Sequence, residues 1–202
     1  MIELFFNHFL LLSQMSKEEK IAVIGGYDSG KSLLLKVTGR DQFTRNMGDI
    51  WDDGHPSQTD VDGESYKVVF VETGNDKYSD MRDRYIRECD GYLAVYSITD
   101  RVSFECTRLL VEHLYRIRDV DDVPIVLVGN KCDLEKKRQV SIEEGFALAD
   151  SHGTQFFETS AKTRLNVNEA VAALIRRCEG KKEPESNVND NNDDRDKKCV
   201  IQ

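Results

Sequence analysis

The chain is expected to fold as an α/β protein on an open, mostly parallel, doubly wound sheet. Three observations carry this. Short β-rich runs alternate with helical patterns through residues 15–180. The runs are almost continuous in Val and Ile, as in strands buried on both faces. The first run also enters its helix through a glycine-rich loop, the usual order where a strand feeds a crossover helix.

The elements follow in order. IAVIG (21–25) precedes SLLLKVTG (32–39). YKVVFVE (66–72) precedes a charged segment that runs to Glu88. YLAVYSI (92–98) precedes SFECTRLLVEHLYRI (103–117). VPIVLVG (123–129) precedes IEEGFALADSHG (142–153), and TQFFET (154–159) precedes VNEAVAALIRRCEG (167–180). In the last helix Val167, Val171, Leu174, Ile175 and Cys178 share one face. Gly180 and the lysines after it suit its end. In such a sheet ligands sit at the carboxyl ends of the strands.

Composition narrows the function. The 202 residues hold 28 Lys plus Arg against 37 Asp plus Glu, a net charge of −9, which argues against a nucleic-acid partner. No apolar run approaches the roughly 20 residues that span a bilayer. Five cysteines (Cys89, Cys106, Cys132, Cys178 and Cys199) form no CxxC pair, so neither a disulfide framework nor a zinc site is expected.

Residues 25–32 read GGYDSGKS and fit G-x-x-x-x-G-K-[ST] between a strand and a helix. The pattern resembles the phosphate-binding loop of P-loop NTPases. Gly25 and Gly30 permit the tight turn, and the backbone through Tyr27, Asp28 and Ser29 can cradle phosphate oxygens. Lys31 should neutralise the β- and γ-phosphates, and Ser32 should ligate Mg²⁺.

NKCD (130–133) and SAK (160–162) each follow a strand at its carboxyl end, on the same rim as Lys31. The Asp133 carboxylate can accept two N–H bonds from guanine, a pair that adenine does not offer. Asn130 can bond the base and tie neighbouring loops. The Lys131 stem can lie over the ring. Ser160, Ala161 and Lys162 complete the pocket, with the Ala161 N–H donating to the guanine carbonyl.

With these residues in hand, the chain resembles the Ras-type small GTPases. GKS, YSDMRDRYI (78–86), VPIVLVGNKCDL (123–134), ETSAKT (158–163) and a terminal CVIQ (199–202) match that pattern in order. The resemblance implies a Ras-like G domain over residues 15–180, with a six-stranded sheet and about five helices. It also implies GTP/GDP and Mg²⁺ as ligands and two loops that rearrange with the γ-phosphate.

Departures from the family pattern cluster around the γ-phosphate. Tyr27 and Asp28 stand where the pattern has two glycines. Tyr27 brings a ring where an arginine finger and the attacking water must fit. Asp28 brings a carboxylate beside the phosphates, where like charge disfavours binding. VETGN (71–75) stands for Asp-x-Ala-Gly-Gln. Counting from Lys31 puts Glu72 at the Asp position, where it could support Mg²⁺; counting back from YSDMRD makes the loop one residue short. Gly74 can still offer its N–H to the γ-phosphate. Asn75 stands for the water-orienting Gln and is one methylene shorter. Ile50 occupies the position of a metal-ligating Thr, and Ile cannot ligate a metal. The neighbouring Trp51 either meets a partner or packs inward.

The two ends carry further expectations. Residues 1–14, MIELFFNHFLLLSQ, are an apolar extension, read either as a translation start placed too early or as a short anchor. Residues 181–202 are polar and read as a disordered tail with a net charge of −1. CVIQ fits C-a-a-X, with Gln favouring a farnesyl group on Cys199. That would place the chain on the cytoplasmic face of a membrane, reversibly, with a cytosolic pool. Residues 41–64 hold seven acidic residues against Arg45 alone, a net charge of −6. This suggests a basic effector surface docking there.

The expected function is a Ras-like GTP-binding switch with slow hydrolysis, in which Lys31 stabilises charge and Asn75 positions water poorly. The expected partners are guanine nucleotide, an effector, an exchange factor and a membrane, with no nucleic acid. The alternative is a pseudo-GTPase, an interaction module whose nucleotide is structural. NKCD and SAK disfavour a third class, a small-molecule kinase.

Overall fold

A computed structural model describes residues 17–38, 54–72, 79–120 and 122–181. Six strands form one sheet in the order β2-β3-β1-β4-β5-β6. They are β1 (Lys17–Ile24), β2 (His55–Val61), β3 (Glu64–Glu72), β4 (Gly91–Ser97), β5 (Ile125–Asn130) and β6 (Gln155–Glu158). Only β2 runs antiparallel, paired with β3 from His55 opposite Phe70 to Val61 opposite Glu64. The helices are α1 (Lys31–Val37), α2 (Ser79–Glu88), α3 (Arg101–Arg118), α4 (Ile142–Ser151) and α5 (Val167–Cys178). A 3-10 turn spans Cys132–Lys137.

The two faces of the sheet explain the continuous apolar runs. Along β1, Ile21 and Val23 join a core with Leu34 of α1 and Val171, Leu174 and Ile175 of α5. Ala22 and Ile24 point the other way, into a core with Ile86 of α2, Phe104, Val111 and Leu114 of α3 and Ala149 of α4. In β4, Leu93 and Val95 take the first face and Tyr92, Ala94 and Tyr96 the second. Alternation survives in space, but both sides are apolar, so period two vanishes from the sequence. Helix α5 buries the stripe expected of it, with Cys178 packed against its edge.

Two boundaries differ from the sequence reading. β1 begins at Lys17, four residues before the apolar run, because Lys17–Lys20 pair along the backbone with Tyr66–Val69. The residue pattern also passes over β2, HPSQTDV, which is polar and contains Pro56. At the edge of a sheet only one side needs pairing, so Pro and polar residues are tolerated.

Parallel order sends the chain out of β1, β3, β5 and β6 at one rim of the sheet. At the opposite end α5 is strapped to the β2–β3 hairpin. Arg176 makes a two-pronged bond to Asp62 at 2.9 and 2.8 Å, and Lys181 donates to Glu64 at 2.9 Å and to the Tyr66 hydroxyl at 3.0 Å. Two carboxylates of the acidic 41–64 stretch are therefore engaged within the fold.

Tyr96 generates a test. Its ring is fully buried, edge-on to Phe104 at 4.9 Å between centroids. Its hydroxyl has no hydrogen-bond partner among the described residues. Burial pushes its pKa up. Removing an unsatisfied buried hydroxyl relieves a desolvation cost. Tyr96→Phe is expected to raise unfolding free energy by about 1 kcal/mol, read as a higher midpoint in urea at unchanged slope.

Candidate functional site

The rim gathers four segments that are far apart in the chain. The loop after β1 must turn sharply and pass close to its neighbours. Gly25 has φ 151°, and a Cβ there would lie 2.0 Å from the Val95 carbonyl oxygen. Gly30 has φ 88°, and a Cβ there would meet Asn130 Nδ2 at 2.4 Å. Both positions therefore require glycine, on grounds of backbone conformation and of space. Asp28 also takes a left-handed conformation, φ 49°, which Asp tolerates better than most residues. Tyr27 stands out of the loop, 73% exposed.

Lys31 opens α1 and is buried, its ammonium donating to the carbonyls of Gly25 at 3.0 Å and Gly26 at 2.8 Å. Burial lowers its pKa, and the Glu72 carboxylate opposes that shift. Ser29 is fully buried and its hydroxyl donates to the Gly26 carbonyl at 2.9 Å. The loop thus encloses a fixed positive charge beneath its backbone.

Ser32 Oγ donates to Glu72 Oε1 at 2.9 Å. The first turn of α1 thereby meets the end of β3. A hydroxyl and a carboxylate held together are hard oxygen donors, the chemistry that suits Mg²⁺.

The base-side residues converge on Asn130, which is 1% exposed. Its Nδ2 donates to the Ser29 carbonyl at 2.9 Å. Its Oδ1 accepts from the Ala161 N–H and from the Thr159 hydroxyl, each at 3.3 Å. Asp133 accepts from the Ser160 hydroxyl at 2.7 Å, and that hydroxyl accepts from the Thr163 N–H at 3.1 Å. Lys131 has φ 67° and reaches Asp28, ammonium to carboxylate, at 3.0 Å. Lys162 is exposed at the edge of the cluster.

The structure brings Gly25, Tyr27, Asp28, Ser29, Gly30, Lys31, Ser32, Glu72, Asn130, Lys131, Asp133, Ser160, Ala161 and Lys162 to this one rim. It refines one expectation. The Asp28 carboxylate meets the Lys131 ammonium, so its charge is offset within the protein. Gly74, Asn75, Ile50, Trp51 and Cys199 lie outside the described residues, as do residues 1–14 and the tail beyond Lys181.

The motifs pass over the pair that stiffens the guanine side. Arg138 donates two bonds to Glu158 at 2.5 and 2.8 Å and two to Glu135 through Nε and another through Nη2. Glu158 is 4% exposed, and its bond raises the Arg138 pKa most, with Glu135 second. The pair links β6 to the 3-10 turn that carries Asp133. Only the proximity of Glu158 to SAK could have hinted at it.

The chain is similar to known proteins. The family model described as Ras family matches residues 20–180. The chain is 43% identical over 163 residues to the Ras-like protein rasB of Dictyostelium discoideum, covering 80% of this chain and 83% of that one. It is 40% identical over 167 residues to a Ras-like protein of Laccaria bicolor, covering 82% and 80%.

Removing one partner from a buried ion pair leaves the other charge uncompensated. Arg138→Ala is therefore expected to cost about 3 kcal/mol in urea denaturation. Glu135→Ala, whose side chain is 67% exposed, should cost under about 1 kcal/mol.

Proposed function

The chain belongs to the Ras family of small GTPases, and from that premise we propose that it is a membrane-associated GTP-binding switch with slow hydrolysis. Family membership carries guanine-nucleotide binding and GTPase activity in general. The observation that supports a guanine-nucleotide site at this rim is the Asn130 side chain. It joins the phosphate loop at Ser29 to the base loop at Ala161, with Asp133 three residues on.

In this reading Lys31 neutralises β- and γ-phosphate charge from beneath the loop. Its present carbonyl partners, Gly25 and Gly26, hold the ammonium in place, so little reorganisation is needed when phosphate arrives. Backbone N–H groups from Tyr27 to Ser32 bind phosphate oxygens. Gly74 contributes one more toward the γ-phosphate. Asp133 accepts the guanine N–H pair, and the Ala161 N–H exchanges Asn130 Oδ1 for the guanine carbonyl. Lys131 lies along the ring, and Ser160 and Lys162 hold the loop around it.

Ser32 and Glu72 would hold Mg²⁺, which offsets phosphate charge in the transition state. Glu72 is a methylene longer than the aspartate of the family pattern. Its bond to Ser32 supports the view that the longer reach is accommodated.

Slow hydrolysis follows from residues at the γ-phosphate. Asn75 falls a methylene short of a water-orienting Gln, and a displacement of about 1 Å can cost about a hundredfold in rate. Tyr27 presents an exposed ring where an arginine finger would enter. Ile50 offers no oxygen for metal or γ-phosphate.

The remaining parts concern location and partners. Farnesylation of Cys199 would attach the tail to the cytoplasmic face of a membrane, and one lipid binds only marginally, leaving a cytosolic pool. A basic effector surface would dock on the acidic 41–64 region. Asp62 and Glu64 are already engaged by Arg176 and Lys181, so the docking charge lies upstream of them. An exchange factor would open the rim.

Single-turnover GTP hydrolysis tests the kinetic claim. The wild-type chain is expected to turn over well below Asn75→Gln, by about tenfold or more. Equal rates in the two proteins would contradict it.

A further inference from the structure

Helix α3 is the wall against which the phosphate loop is set. Its start is pinned to the end of β4, where the Ser97 N–H donates to the Ser103 hydroxyl at 2.9 Å. The Asp100 carboxylate caps it by accepting from the Val102 N–H at 2.9 Å. The loop meets this helix at Gly26, which is buried. A Cβ on Gly26 would lie 2.8 Å from Ser103 Cα and 3.2 Å from Cys106 Cβ. Thr107 stands at this close approach and is fully buried. Its hydroxyl oxygen accepts from the Gly26 N–H at 3.2 Å. Its single proton has two carbonyls within reach, Ser103 at 2.8 Å and Val95 at 3.0 Å. The Val95 oxygen is also the atom that a Cβ on Gly25 would strike.

The bond to Gly26 gains its meaning from the other end of the same peptide unit. A peptide unit is planar and trans, so its N–H and C=O point opposite ways and turn together. The unit between Gly25 and Gly26 gives its N–H to Thr107 and its oxygen to the Lys31 ammonium, the latter at 3.0 Å. Holding one end fixes the direction of the other. The next carbonyl, that of Gly26, seats the same ammonium at 2.8 Å and the Ser29 hydroxyl at 2.9 Å.

We infer that Thr107 is a positioning residue for phosphate binding, setting the Lys31 ammonium through the Gly25–Gly26 peptide without itself touching nucleotide. The inference rests on the guanine-nucleotide reading of this rim. Position 107 lies outside both the phosphate-loop and the base motifs. Without the hydroxyl, the buried Gly26 N–H loses its partner, which is costly unless the peptide turns to find another. A turn of that peptide carries its oxygen away from the ammonium. The bound arrangement then holds phosphate less firmly, and nucleotide leaves faster.

The test is the dissociation rate of fluorescently labelled GDP from the full chain, chased with unlabelled GDP. Thr107→Val keeps the shape and removes the hydroxyl. Thr107→Ser keeps the hydroxyl and removes the methyl, and Thr107→Ala removes both. Thr107→Val and Thr107→Ala are expected to release about fivefold faster than wild type, the scale of one buried hydrogen bond. Thr107→Ser, which restores the hydroxyl, should stay within about twofold of wild type. A role in packing alone predicts the reverse order, with Thr107→Val close to wild type and Thr107→Ser fast, because the methyl fills the core. Rates that follow the methyl, or a Thr107→Val rate equal to wild type, would overturn the positioning role alone. A wild-type chain that binds no labelled GDP would overturn the nucleotide reading with it. If Thr107→Val does not fold, Thr107→Ser and Thr107→Ala still decide, since they differ by the hydroxyl alone and equal release from the two contradicts the inference.

Discussion

One side-chain amide holds the site together. Asn130 ends β5 and is 1% exposed, and its two polar atoms serve three residues on two segments: Ser29 on the phosphate loop, and Thr159 and Ala161 beyond β6. No other residue type does this as well. The amide donates and accepts at one end of a short stem. An aspartate would offer no donor to the Ser29 carbonyl, and a leucine would leave three buried groups unpaired, each at a cost. The glycine at position 30 follows from the same contact, because any Cβ there would enter the space of Asn130 Nδ2. Around this hub, Arg138 and Glu158 stiffen the base side and Ser32 and Glu72 link the phosphate side to β3. The parallel order of the sheet is what brings all four loops to a single rim.

Much of this was legible in the chain, for reasons that can be given residue by residue. β4 and β5 are buried on both faces, so YLAVYS and IVLVGN read as strands without ambiguity. GGYDSGKS requires its glycines for backbone and space, and the structure needs them at Gly25 and Gly30. NKCD and SAK were recognisable because both follow buried strands on the rim that carries the phosphate loop; alone, either short string reads as a solvated loop. What escaped has physical reasons as well. β2 lies at the edge and pays little penalty for Pro56 and polar residues, so it carries no strand pattern. The opening of β1 is KEEK, which pairs along the backbone with charged side chains that are exposed at Lys17 and Glu18 and half-buried at Glu19 and Lys20. The Arg138–Glu158 pair joins residues 20 apart in sequence, and charge identity alone does not say which partners will meet.

Asp28 shows where sequence and structure differ most usefully. Read along the chain, it is a negative charge set next to phosphates. In space it faces the ammonium of Lys131, a residue of the base motif. The same shift of view applies to the acidic 41–64 stretch. Seven carboxylates look like one docking surface, yet Asp62 and Glu64 brace α5 at the far end of the sheet. Charge counted by position in sequence and charge counted by position in space assign different roles to the same groups.

The rim is a guanine-nucleotide site if its geometry is what the family implies. The most direct measurement is the identity and amount of nucleotide released by denaturing the freshly purified full chain, resolved by chromatography. Stoichiometric GDP or GTP, with no adenine nucleotide, is the predicted result. Adenine nucleotide in its place, or no nucleotide together with no binding of added GDP, would contradict it.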